Sequence, residues 1–254
     1  MESIINLMHL KMTTPTWFGW FHILCLLLTV GATVLLCLLY KKGMIKNVSR
    51  VVLVMALIVI VLEIYKQLQY SFSYDGGVVF DYQWYAFPFQ FCSTPMYVGL
   101  LAGLCVMVYP NDIYIDTVGI NIQTSVCHGT MISVAVYLLY SGYVELKHKT
   151  ILKAMSVFAC AMGIAMILNE IAYRSGLEET FNMFYISPHH APSLPVYSQV
   201  QAVVPFPFCT LIYFAAFTLA AYVILLTAMG IAKLFRAIRA KKTPCEPKEE
   251  IHVN

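Results

Sequence analysis

Apolar residues in this chain fall in long unbroken runs separated by short polar stretches. Six runs stand out, at roughly 16–40, 50–70, 87–109, 117–143, 151–173 and 205–235. A bilayer core needs about 20 apolar residues per helical crossing. Lipid offers the backbone no hydrogen-bond partner, so each run must satisfy its own amides as a helix. The alternating ten-residue segments of a transmembrane β-barrel do not occur. The pattern therefore predicts an all-α, polytopic helical membrane bundle with about six transmembrane helices. It forms one transmembrane domain over 1–235, followed by a charged tail at 236–254. The first run is too long for the core of a cleavable signal. Trp17, Trp20 and Trp84 fall at run ends, where interfacial anchors belong.

Composition narrows the class. Of 254 residues, 60% are hydrophobic and only 11% charged, against roughly 25% charged in soluble domains. That excludes a soluble globular enzyme and a disordered chain. The net charge of +3 is too small to suggest a nucleic-acid-binding face. The eight cysteines include no CxxC pair, which argues against a disulfide framework or thiolate metal site. No GxSxG, HExxH or phosphate-loop motif is present, and no cofactor is expected.

Charge also bears on orientation. Basic residues cluster at Lys41, Lys42, Lys46 and Arg50, at Lys147, Lys149 and Lys153, and at Arg236, Arg239, Lys241 and Lys242. Cytoplasmic loops are the basic ones. Two predicted spans separate the second and third clusters, so those agree. Three separate the first and second, so those conflict. Either one cluster lies outside, or the span count between 72 and 144 is off by one, with a re-entrant piece near 110–124. The two later clusters place the C-terminus in the cytoplasm of a multi-pass protein of the cell membrane.

Polar residues inside membrane helices are costly and mark candidate sites. Glu63, Lys66 and Tyr70 share a helix face, either as a self-neutralising ion pair or as a cavity wall. Gln90 and Cys92 lie between Pro88 and Pro95, where the helix should kink or unwind. Asn121, Gln123, Thr124 and His128 form a polar stretch, with Asn121, Thr124 and His128 on one face. Asn169 pairs in spacing with Tyr173, and Glu170 with Arg174. Tyr185, His189 and His190 sit in the longest loop, 174–204. Cys92 reads either as a buried apolar side chain or as a nucleophile. His128 reads either as a structural histidine or as a base for a thiol or water.

Several strings resemble a known family. Phe87-Pro88-Phe89-Gln90-Phe91-Cys92 resembles the P-L-H/E-L-C opening of a span in the bacterial YwaF-like integral membrane proteins. Tyr109-Pro110-Asn111-Asp112, then Asn121 to Thr124 and Cys127-His128-Gly129, resembles their T/Y-P…F-x-H-G block. Asn182-Met183-Phe184-Tyr185-Ile186, Pro188 and Val204-Pro205-Phe206-Pro207-Phe208 resemble the closing block. The family is similar to eukaryotic transmembrane protein 164, described as moving acyl chains onto ether lysophospholipids through a cysteine and a histidine. The resemblance implies seven spans, one more between cysteine and histidine than this chain shows. It also implies a catalytic pair, Cys92 and His128. The polar residues Glu63, Lys66, Gln90, Asn121, Gln123, Thr124, Asn169 and Tyr185 are the candidates for lining a cavity. The implied partners are membrane lipids, including an acyl-donor lipid. A non-catalytic lipid- or partner-binding protein and a small-solute transporter are the alternatives.

Overall fold

Five of the predicted runs fold as helices long and apolar enough to cross a membrane. The structure is a computed structural model that describes residues 2–88, 107, 114–177, 181–192 and 194–242. Helix α1 spans Glu2–Met8, α2 Trp20–Lys41 and α3 Val48–Gln69. A short hairpin follows, with β1 at Phe72–Tyr74 paired antiparallel to β2 at Val78–Phe80. Then come α4, Val118–Tyr140, α5, His148–Arg174, the short α6, Pro195–Val203, and α7, Phe208–Lys242. The predicted span at 87–109 lies outside the described residues, apart from Phe87, Pro88 and Met107.

Local chemistry sets the helix ends. Asn47 caps α3, its side chain accepting from the Arg50 amide at 3.1 Å. Just past the ends of α2, α4 and α5, Gly43, Gly142 and Gly176 take positive φ, the left-handed stop that glycine adopts without a Cβ clash. Helix α7 continues through Lys242, past the predicted boundary at 235.

Helix α4 is the central helix and the most buried of the five. The reason is its polar and small residues, which are better placed against protein than against lipid. Helix α2 runs parallel to it. Thr29 lies against Gly129, Thr33 Oγ1 meets Ser133 Oγ at 2.9 Å, and the Tyr40 hydroxyl donates to the Ser141 carbonyl at 3.1 Å. Helix α3 packs antiparallel to α4, with Tyr65 against Gly119. An N-terminal strap closes this end: Met12 donates to the Asp116 carbonyl at 2.8 Å and Val118 to that of Leu10 at 2.9 Å.

The second half is an antiparallel pair. Phe158 of α5 stacks on Phe214 of α7 at 5.6 Å, and His148 Nδ1 is hydrogen-bonded to the Tyr222 hydroxyl at 2.8 Å. Phe181, Met183, Phe184, Ile186 and Tyr197 close the aromatic core, against which Trp84 and Phe87 pack.

This topology settles the charge pattern. Because α2 and α4 are parallel, the α2–α3 and α4–α5 turns lie at one end of the bundle. Helix α7 finishes at that same end, so all three basic clusters share it. The hairpin, the strap, Phe87 and Tyr114 lie at the other end, where Phe87 meets Phe181 and Tyr114 meets Phe21.

Candidate functional site

The polar face of α3 meets α4 near the hairpin end. Lys66 Nζ and Glu63 Oε1 are 2.9 Å apart, with only 10% and 23% of their side chains exposed. Gln67 extends the group. Its Nε2 donates to Glu63 Oε1 at 2.8 Å and to the Ala86 carbonyl at 2.7 Å, while its Oε1 accepts from the Tyr82 hydroxyl at 2.7 Å. Burial pushes the Tyr82 hydroxyl up from its ordinary pKa, and the charge of Glu63 adds to this. Tyr82 is thereby held as a donor. Gln69 is buried, and its Oε1 has no hydrogen-bond partner among the described residues.

His128, on α4, lies close enough to Lys66 to interact electrostatically. Its Nδ1 is 2.7 Å from the Thr124 carbonyl. A carbonyl only accepts, so Nδ1 carries the hydrogen. In the neutral ring Nε2 then holds the lone pair. That nitrogen is buried and without a partner among the described residues.

The fold brings Glu63, Lys66 and His128 into one neighbourhood. The other predicted residues are engaged elsewhere. Asn121 turns to the segment just before α4 and to the strap, its Oδ1 accepting from Ile115 N at 2.9 Å and its Nδ2 donating to Ile115 O at 2.7 Å and reaching Met12 Sδ at 3.3 Å. Gln123 Nε2 contacts Cys127 Sγ at 3.4 Å, and the Thr124 hydroxyl reaches Gln123 Oε1 at 3.3 Å. Asn169 clamps Met183, donating to its carbonyl at 3.0 Å and accepting from its amide at 2.7 Å. No hydrogen bond among the described residues joins Asn169 to the His128 group. Tyr185 is half-exposed in the same turn as Met183. Phe184 and Tyr185 both hold φ of 59°, a left-handed conformation costing non-glycine residues about 1–3 kcal/mol each. Cys92 and Gln90 lie outside the described residues.

Two members were not singled out from sequence. Gln67 carried a usable signal, being four residues after Glu63 on the same face. Tyr82 carried none, since its reach to Gln67 depends on how the hairpin folds back.

Long apolar helices around a polar-cored central helix define a multi-pass integral membrane protein. The chain matches no protein-family model, no curated protein and no solved structure.

Proposed function

We propose that this protein is a membrane lipid acyltransferase in which His128 serves as general base for Cys92. The observation that carries the reading is the bare, buried Nε2 of His128, held in the basic tautomer by Thr124. The resemblance to the YwaF-like proteins and transmembrane protein 164 supports it. His128 takes the Cys92 proton, and the thiolate attacks the ester carbonyl of a donor phospholipid. A thioester forms, and the departing lysolipid alkoxide recovers the proton from His128. A lysophospholipid hydroxyl then gives its proton to His128 and attacks the thioester, releasing the thiol. Both substrates are lipids, which suits a site within the membrane. The three basic clusters at one end favour a cytoplasmic C-terminus in the cell membrane.

The test is acyl exchange between a labelled phospholipid and a lysophospholipid in vesicles carrying the purified chain. Cys92→Ala and His128→Ala should each lose transfer, by about 10²-fold or more for the base. Transfer that survives Cys92→Ala overturns the reading. A small-solute path is the second reading, favoured by the buried Glu63–Lys66 pair beside His128. It requires solute flux across sealed vesicles that Glu63→Gln slows.

A further inference from the structure

Away from the His128 group, at the basic end, a groove of about 580 Å³ runs between α5 and α7. Its volume lies within the roughly 300–1,000 Å³ of ligand clefts. Ile151, Leu152, Met155, Phe214 and Leu219 wall it, and Ala215 leaves it open. The α5 positions 148, 151, 152 and 155 recur at helical spacing, so the groove follows one face for two turns.

The groove is apolar along its length and polar at one end. That end carries His148 and Lys149, both exposed, and Tyr222, whose hydroxyl is bonded to His148 at 2.8 Å. Lys147 and Lys153 flank it. Glu145 is the acid in this neighbourhood, and it is already paired with Lys147 at 2.9 Å. Burying the groove's walls requires an apolar chain. Matching its mouth requires an anion. The cations also sit in the first turn of α5, the end of a helix where positive charge is disfavoured and negative charge is favoured. A phosphate placed there would relieve that mismatch.

We infer that the α5–α7 groove seats one acyl chain of an anionic phospholipid, with the lipid phosphate at His148, Lys149 and Tyr222. The site is separate from the proposed acyl-transfer centre and stands without it. Its side chains recognise a chain and a charge together, which distinguishes it from lipid that merely coats the bundle.

The experiment is native mass spectrometry of the purified full chain in detergent, with phosphatidylglycerol or phosphatidylcholine of the same acyl chains added. Phosphatidylglycerol should be retained several-fold more strongly. Lys149→Gln, at an exposed position, should weaken its retention about fivefold, the effect of one surface cation on an anionic lipid, and leave phosphatidylcholine unchanged. Ala215→Trp should fill the groove and abolish retention of phosphatidylglycerol. Glycerol 3-phosphate, which has the charge without the chain, should not compete. Equal retention of the two lipids, insensitivity to either substitution, or displacement by glycerol 3-phosphate each overturns the inference. Thermal melting of both variants in detergent confirms that they fold.

Discussion

The Nδ1–H of His128 donates to the carbonyl of Thr124, one turn earlier in the same helix, at 2.7 Å. That bond separates His128 from the other buried histidine of the bundle. His22 uses both nitrogens: Nδ1 accepts from the Phe18 amide at 3.1 Å and Nε2–H donates to the Met107 carbonyl at 2.7 Å. A ring satisfied twice is a structural joint, here fixing the start of α2. A ring satisfied once leaves a buried acceptor open, a cost of about 1–3 kcal/mol that packing alone does not require.

Close approach of α2 to α4 depends on Gly129. A Cβ there would lie 2.5 Å from Thr29 Oγ1. Gly129→Ala should lower stability by about 1–3 kcal/mol, as overpacking does. Thr29→Ala removes the clashing oxygen, so the double variant should regain most of the loss. Melting of the four proteins in detergent measures the coupling, and additive losses would show that the two residues do not meet.

The Glu63–Lys66 pair is expected to be more sensitive to removal of one partner than of both. Lys66→Met strands a carboxylate that keeps only Gln67 as donor among the described residues, and buried pairs broken in this way lose about 3–5 kcal/mol. Glu63→Gln with Lys66→Met removes both charges and should be closer to the parent. Denaturation in mild detergent with added dodecyl sulfate compares them. A double variant as unstable as Lys66→Met would contradict the pairing.

Asn169 holds the strained turn at Phe184 and Tyr185 through its two bonds to Met183. Asn169→Leu leaves the buried Met183 amide without its partner, at about 1–3 kcal/mol, and its carbonyl with only the 3.5 Å bond from the Ile186 amide among the described residues. The melting temperature should fall, and protease cleavage within 182–190 should quicken. Unchanged cleavage would mean that the turn is held by its own packing.

The three basic clusters should face the same compartment. Met44→Cys and Glu145→Cys, each at an exposed turn position, should react with an impermeant thiol reagent from one side of sealed vesicles. Val79→Cys in the hairpin should react from the other. Labelling of positions 44 and 145 from opposite sides would overturn the parallel arrangement of α2 and α4.

Much of the fold is legible in the sequence. The run at 50–70 is the helix Val48–Gln69, and that at 117–143 is Val118–Tyr140. A long apolar run in lipid can satisfy its backbone within itself only as a helix, so such runs translate directly into helices. Errors fall at charged ends. Lys149 reads as loop because lysine is unwelcome in lipid, yet α5 begins at His148. The pairing of Gln67 with Tyr82 and of Asn169 with Met183 was not legible, because each joins segments that meet only after the chain folds back.

By itself, then, the sequence determined that this is a helical membrane protein, where five of its spans run and which polar residues those spans carry. Only the tertiary structure decided how those residues are used. Helical spacing places Asn121, Thr124 and His128 on one face of α4, but it says nothing about what lies opposite. Asn121 met the strap and was consumed by backbone bonds. Thr124 lent its carbonyl to its own helix. His128 came within electrostatic reach of Lys66 and kept one nitrogen without a partner among the described residues. The orientation of the basic clusters was decided in the same way, by α2 packing parallel to α4 through Thr29, Gly129, Thr33 and Ser133. Hydropathy is a local property, read residue by residue, whereas helix direction and polar partnership come from contacts between distant segments.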